Sequence, residues 1–167
     1  MPVDRLFAPW RGEYVSANGP AGEPRACFFC AAAEQEADPA HLVVHVAPLN
    51  VVLMNRFPYS SGHVMVAPRR HIALLTEATA AERDEMFALA QRLEGVLGEA
   101  YRPDGLNVGM NIGKAAGAGF ADHIHLHLVP RWIGDANFMT TTAETRVIPE
   151  DPAAACAKLR VLFRDRA

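Results

Sequence analysis

The chain has 167 residues, a formal net charge of −3, 50% hydrophobic and 21% charged residues. This is ordinary globular composition with enough chain for one sizeable core, and the negative charge gives no support to broad binding of nucleic acid or of a membrane surface. The sequence shows no apolar run long enough for a membrane span and no signal-peptide pattern. The chain has three cysteines, and an odd number argues against a disulfide framework. We therefore expect a cytoplasmic protein.

The first half of the chain predicts an irregular arm, a short helix and a meander of strands. Residues 1–26 are rich in glycine and proline, which favours an arm over the surface. CFFCAAAEQEA (27–37) predicts a short helix that Asp38 and Pro39 end. Three Val-rich runs with short connections, LVVHVAP, NVVLMN and HVMVAP, then predict an antiparallel meander.

The second half predicts a long helix, two strands and a final helix. Thr79 and Glu82 form a capping box at the start of the long helix, which ends near Arg102-Pro103. One face of this helix is apolar, with Met86, Leu89, Leu93 and Leu97. DPAAACAKLRVLFRDR predicts the final helix, and the order of elements indicates an α+β fold.

The two strands of this half alternate strictly between apolar and polar residues. In GLNVGMNIG (105–113), Leu106, Val108, Met110 and Ile112 share one face, and in HIHLHLVPRW (123–132) the leucines and Ile124 do the same. We expect a helix to bury these apolar faces. Asn107, Asn111 and three histidines would then share the opposite, polar face.

Three interpretations are open for the histidines at every second position. They can form a polar strand face of no special function. They can bind a metal ion, since alternate residues on a strand lie about 6.6–6.8 Å apart at the backbone and two imidazoles can converge on one ion. They can also be catalytic, because a neutral imidazole is a nucleophile and proton carrier near pH 7, and the neighbouring Gly-rich loop KAAGAGFAD offers backbone N–H groups to phosphate.

HIHLHLVPR resembles the signature of the histidine triad (HIT) superfamily. NVVLMNRFPYSSGHVMVAPRRHI resembles the earlier strand pair of that family, and GLNVGMNIG with its Gly loop resembles the phosphate-binding segment. RWIGDANFM resembles the branch of diadenosine tetraphosphate phosphorylases. The resemblance implies an α+β, HIT-like fold with a five-stranded antiparallel sheet, helices packed on one face, and a homodimer. It divides the chain into the arm (1–26), a HIT domain (27–140) and a C-terminal tail and helix (141–167).

The resemblance also implies catalytic roles. His125 would be the nucleophile that attacks the α-phosphorus of a nucleotide and forms a nucleotidyl-histidine. His127 would contact phosphate and move protons, and His123 would support the nucleophile. His63, at the Gly-His position, would complete the ring network, although the residues alone also allow a solvated histidine there.

Nucleotide contacts follow from the same resemblance. Asn55 matches a ribose-contacting position, with a turn residue at a strand end as the alternative, and Asn111 matches a phosphate-side asparagine. Trp132 can form a wall near the nucleotide or pack across a dimer.

One position departs from the family. Gly119 stands where many members carry a phosphate-contacting Ser or Gln. Backbone N–H groups of Gly117, Ala118 and Gly119 could substitute for that side chain. Lys114 adds a nearby charge or is a solvated loop residue.

The resemblance further implies a structural zinc ion. Some HIT proteins bind zinc through a CxxC pair, a histidine after the third strand and the first triad histidine. This chain supplies Cys27, Cys30, His71 and His123 in that order, a donor set that suits tetrahedral zinc. For the CxxC pair alone, a buried pair at a helix start is the alternative.

The functional hypothesis is a nucleotidyl hydrolase or transferase acting on dinucleoside polyphosphates, a small-molecule substrate with no nucleic-acid or membrane partner. A nucleoside phosphoramidate hydrolase is the second hypothesis, although that branch ends differently after the triad. A nucleotide-binding sensor with little turnover is the third. A uridylyltransferase is disfavoured because that branch carries Gln where this chain has His127.

Overall fold

The computed structural model describes residues 26–135 and 150–166. Residues 1–25 of the predicted arm and 136–149 of the segments beyond the triad lie outside the described residues. No helix in the described part is long and apolar enough to cross a bilayer. The elements in chain order are α1 (Phe28–Glu34), a 3₁₀ turn (Pro39–His41), β1 (Val43–Val46), β2 (Asn50–Met54), β3 (Val64–Pro68), a 3₁₀ turn (Leu75–Glu77), α2 (Ala80–Tyr101), β4 (Gly105–Met110), a 3₁₀ turn (Lys114–Ala116), β5 (Leu126–Arg131) and α3 (Pro152–Asp165).

Five strands form one antiparallel sheet in the order β1-β2-β3-β5-β4. The predicted meander is confirmed as β1 to β3. The long helix α2 carries the chain from β3 to the far edge, and β5 then returns to pair with both β3 and β4. The strand that carries the last triad histidine therefore lies inside the sheet, between two partners.

The two faces of the sheet carry separate cores. The long helices α2 and α3 cover one face, and their buried residues include the predicted Met86, Leu89, Leu93 and Leu97. The predicted α+β sheet with helices on one face is confirmed for these two helices. The short helix α1 lies on the opposite face, where Phe29 packs with Val51, Leu53 and Met65. This second face is the one that carries the triad.

The capping box of α2 also anchors the segment that follows β3. The buried carboxylate of Glu82 accepts hydrogen bonds from the backbone N–H of Thr79 at 2.7 Å and from the Arg70 guanidinium at 2.9 Å. The Arg70 guanidinium is the main cause that lowers the pKa of Glu82 to about 2. His71, a candidate metal ligand, is therefore adjacent to a residue that is tied to the start of α2.

Two expectations about burial are wrong. Helices do not bury the whole apolar face of β4, because Val108 is 51% exposed and Ile112 is 41% exposed at the edge of the sheet. Only Leu106 and Met110 pack against the core. His45 matches no position of the family pattern, so the sequence predicts a surface residue there, but its half-buried ring lies 4.8 Å from that of Phe163. Both results depend on which helix covers the strand, because α3 packs on β1 at His45 whereas Val108 on the edge strand β4 stays exposed.

Candidate active site and metal centre

The triad lies at the start of β5 and is buried. His123 is 0%, His125 5% and His127 9% exposed. We expected all three on one strand, but β5 begins at Leu126, so His123 and His125 precede it. The backbone N–H of Ile124 instead donates to Ile72 at 2.7 Å, which ties this segment to the chain after β3.

His125 is held as a neutral ring with a free lone pair on Nε2. Its Nδ1 lies 2.8 Å from the carbonyl oxygen of His123. A carbonyl can only accept, so Nδ1 carries the hydrogen and Nε2 does not. Burial lowers the pKa of His125, and the bond to the carbonyl opposes this only in part. These are the properties that a nitrogen nucleophile needs.

A hydrogen-bond chain sets the hydrogen position on His127. The backbone N–H of Tyr59 donates to Nδ1 of His63 at 3.1 Å. Burial, and then the neighbouring His127 and His125, lower the pKa of His63 to about 3, so the ring is neutral and its hydrogen is on Nε2. That nitrogen lies 2.9 Å from Nδ1 of His127, which must accept. The remaining hydrogen of His127 is therefore on Nε2.

The nucleophile and a hydrogen-bond donor are thus neighbours. The rings of His125 and His127 have centroids 4.7 Å apart at an interplanar angle of 75°. One ring offers an unprotonated Nε2 and the other an Nε2–H. This pair can attack an electrophilic phosphorus while a hydrogen bond is donated to one of its oxygens.

His123 faces a cluster of metal-binding side chains. Its Nε2–H donates to the carbonyl of Pro68 at 2.8 Å, which leaves Nδ1 as a potential ligand. That Nδ1 lies 3.2 Å from Sγ of Cys27 and 3.7 Å from Sγ of Cys30. His71 Nδ1 lies 3.3 Å from Sγ of Cys30.

The four side chains fit one tetrahedral metal ion. All their ligand atoms lie within 4.8 Å of one another. Zn–S bonds of about 2.3 Å and Zn–N bonds of about 2.0–2.1 Å at tetrahedral angles place ligand atoms roughly 3.5 Å apart. Three of the ligand-atom pairs lie near that value, at 3.2 Å for Cys27–His123, 3.3 Å for Cys30–His71 and 3.7 Å for Cys30–His123. The predicted donor set is therefore brought together.

Two site residues were missed by the sequence reasoning. Phe29, inside the CFFC motif, is fully buried, and its ring lies 4.6 Å from that of His125 and 5.1 Å from that of His123. Tyr59 supplies the backbone donor to His63, and its ring lies 4.7 Å from the His63 ring. The position of Phe29 between two candidate ligands was the available signal for it. No sequence pattern indicated the backbone contact of Tyr59.

Gly62 allows the turn that precedes His63. Its φ is +77°, and a Cβ there would lie 2.6 Å from the Tyr101 ring. Any other residue would both strain the backbone and collide with α2. The Gly-His pair in the sequence thus has a steric cause at the glycine.

Hydrogen bonds within the chain already engage Asn55, a predicted nucleotide contact, and Asn107, on the predicted polar face. Asn55 Oδ1 accepts from the backbone N–H of Phe57 at 2.9 Å, the turn role given as the alternative. Asn107 Oδ1 accepts from the Arg131 guanidinium at 2.9 Å, away from His127. Asn111 is half-buried just beyond β4, and Trp132 is half-buried just beyond β5.

The Gly-rich loop differs from the expectation of free backbone donors. The N–H of Gly117 donates to Lys114 O at 3.0 Å, and that of Ala118 to Gly113 O at 3.4 Å. These bonds close the 3₁₀ turn that begins at Lys114, whose side chain is exposed. Gly119 follows this turn and is half-buried.

Comparison with known proteins identifies the family of this chain. The family model of the HIT domain matches residues 36–132. The chain belongs to the HIT family. An AP-4-A phosphorylase of Mycobacterium tuberculosis is 37% identical over 152 residues, which cover 89% of this chain and 78% of that relative.

More distant HIT relatives include a hydrolase and a metal-bound structure. A bis(5'-adenosyl)-triphosphatase of Dictyostelium discoideum is 34% identical over 50% of this chain and 55% of its own length. A Zn-bound histidine triad family protein of Mycobacterium smegmatis superposes with a TM-score of 0.66 at 29% identity, covering 84% of this chain and 94% of that one. The HIT fold of the described residues is thereby confirmed.

Burial of His63 predicts a loss of stability in acid. The unfolded chain takes up a proton as the pH falls through about 6.5, whereas the folded chain does not until about 3. The free energy of unfolding should therefore fall between these values, by at most about 1.4 kcal/mol per pH unit from this group. Urea unfolding at pH 7 and pH 5 measures this change. His63→Gln should show a smaller decrease, and an equal decrease in both proteins would contradict the assignment.

Proposed function

We propose that this HIT protein cleaves dinucleoside polyphosphates at the α-phosphate, with diadenosine tetraphosphate as the first candidate. Two hydrogen bonds carry the proposal, one between His125 Nδ1 and the carbonyl of His123 and one between His63 Nε2 and His127 Nδ1. Together they imply an unprotonated Nε2 on His125 beside an Nε2–H on His127. The phosphorylase and triphosphatase names of the relatives support this substrate class.

The chemistry proceeds in two displacements. The Nε2 lone pair of His125 attacks the α-phosphorus, the bond to the bridging oxygen breaks, and ATP leaves. His127 donates its Nε2–H to an oxygen of the reacting phosphate. Water attacking the adenylyl-His125 would then yield AMP, and inorganic phosphate would yield ADP, with the ring of His125 restored in either case.

Residues around the pair would bind the substrate. We assign Asn55 to the ribose and Asn111 to the α-phosphate side. Lys114 is exposed beside the Gly-rich turn, where an ammonium group suits the polyphosphate chain. Gly117, Ala118 and Gly119 would shape this turn, and Trp132 would border the nucleotide.

Zinc is the metal that the Cys₂His₂ set suits best, and its role would be structural because four protein ligands leave no open position. When bound, it would hold α1 and the segment after β3 to His123. The carbonyl of His123 accepts the Nδ1–H of His125. The ion would thus fix the backbone that orients the nucleophile.

A homodimer through the β4 edge fits the exposed apolar side chains there. Val108 on β4 and Ile112 just beyond it are about half exposed, and β4 pairs only with β5 among the described residues. An unpaired edge with apolar side chains is a site for pairing with another chain. Light scattering of the purified protein measures the oligomeric state, and a monomer at all concentrations would exclude this assembly.

Product analysis tests the proposed reaction. We expect the protein to convert diadenosine tetraphosphate to ADP and ATP when phosphate is present, or to AMP and ATP without phosphate. Separation of the nucleotides by anion exchange, with and without phosphate, distinguishes a phosphorylase from a hydrolase. Formation of neither product set would refute the assignment. Nucleotide binding with turnover no faster than that of His125→Asn would indicate a sensor.

His63 should act as a positioning residue. His63→Leu removes the donor that sets the hydrogen of His127, so kcat should fall by about 10–100-fold with little change in KM. His63→Gln keeps an amide donor and should recover part of kcat. Thermal unfolding of both variants checks the fold. A rise in KM with unchanged kcat would argue against this role. Equal activity of the Leu and Gln variants would also argue against it.

A further inference from the structure

A cavity lies on the face of the sheet opposite the triad. Its volume is about 580 Å³, and it is bordered by β1, α2 and α3. Cavities of about 300–1,000 Å³ are typical of small-molecule sites. Nothing in the proposed reaction uses this cavity.

The lining is strongly basic. Arg92, Arg160 and Arg164 border the cavity together with His45, and the described residues that line it include no carboxylate. Outside the lining, Arg164 pairs with Asp165 at 3.2 Å, and the charge of Arg160 is the smallest of the contributions that lower the pKa of Asp38. Three guanidinium groups around one cavity repel one another, and in a chain of net charge −3 such a concentration is a local feature that an anion would stabilise.

Arg92 is held in place on the floor of the cavity. Its guanidinium lies 3.8 Å above the Phe163 ring and donates to the Phe163 carbonyl. Its Nε is buried without a hydrogen-bond partner. A buried donor without an acceptor is unfavourable, so Arg92 has an unmet hydrogen-bonding group beside the cavity. Burial, and then the charge of Arg92, also lower the pKa of the neighbouring His45.

The rest of the cavity is apolar. Val44 and Phe163 are almost fully buried beneath it, and Val161 lies at the rim with 49% exposure. We propose that this cavity binds a small organic anion with an apolar body. The carboxylate or phosphate head would pair with the guanidinium of Arg160, which matches either group with two hydrogen bonds. The apolar body would rest on Val44 and Val161.

Matched probes test this ligand class. Decanoate and decyl phosphate supply the two heads on one body, decan-1-ol lacks the charge, and acetate and inorganic phosphate lack the body. We expect saturable binding of decanoate or decyl phosphate, with one site per chain by calorimetry, and no binding of the other three probes. Amide NMR shifts should change at Val44, Ala157 and Val161. Shifts centred on His125 would place the probe in the triad site and overturn the proposal.

Paired arginine variants provide the control. Arg160→Gln should weaken binding of the alkyl anion at least about tenfold, the loss expected for a charge-assisted hydrogen bond. The control variant Arg166→Gln changes the residue just after α3, which lies outside the cavity lining and whose guanidinium pairs with Glu99 at 2.8 Å. It should bind as the wild type does. Equal loss in both variants, or no saturable binding to the wild type, would overturn the proposal whether or not the dinucleotide is cleaved.

Discussion

His125→Asn should lower kcat for diadenosine tetraphosphate by at least about 10⁴-fold, the scale seen when a catalytic nucleophile is removed. The asparagine amide can still donate to the carbonyl of His123, so the local fold should survive. What is lost is the Nε2 lone pair that attacks phosphorus. Steady-state assays measure kcat, and calorimetry with a nucleotide checks that binding persists.

Trapping of the covalent intermediate makes this test specific. With substrate labelled at the α-phosphate, base quenching of the wild type should leave label on the protein, at a linkage that acid then releases. His125→Asn should carry none. His127→Asn is the matched control, because the shorter side chain removes the Nε2–H that donates to the phosphate and leaves the His125 nucleophile in place. This variant should still be labelled, more slowly. Label on His125→Asn, or activity within tenfold of the wild type, would refute nucleophilic catalysis by this residue.

Loss of the metal ligands should have the second largest effect. Cys30→Ser should remove stoichiometric zinc and lower Tm by about 10 °C, because binding energy of a structural zinc ion is folding energy. The kcat should fall as well, since His123 then no longer holds its carbonyl against His125. Elemental analysis and thermal unfolding measure the two effects.

The third cysteine provides the control for metal loss. Cys156 is fully buried in α3, away from the cluster. Cys156→Ala should lose some stability through its cavity but keep its zinc. The structural role would be contradicted if the wild-type protein is purified without zinc and its Tm changes neither with added zinc nor with a chelator.

Local sequence patterns were sufficient for most of the elements. The capping box at Thr79 and the 3.6-residue spacing of Met86 to Leu97 predicted α2, and the Val-rich runs predicted β1 to β3. These signals act within a few residues, through hydrogen bonds to the backbone and through periodicity, so they can be read without the rest of the chain. The triad motif was equally easy to recognise, because its histidines occupy every second residue.

Other features required the tertiary structure. Whether an apolar strand face is buried depends on which helix covers it, and within residues 26–135 and 150–166 no helix covers Val108 at the sheet edge. The resemblance named the metal ligands, but their convergence depends on contacts over 41 to 96 residues. The basic cavity is of the same kind, since β1, α2 and α3 contribute its lining from distant parts of the chain.

The sequence by itself determined the α+β class and the element order, because these follow from residue type and short-range spacing. The roles proposed for His125 and His127 came from the resemblance of the triad motif to the HIT family. Only the tertiary structure decided which nitrogen of each ring carries the hydrogen. That choice depends on single partners, the carbonyls of His123 and Pro68 and the N–H of Tyr59, whose positions are set by packing. A backbone group looks the same at every residue, so no sequence pattern can specify it.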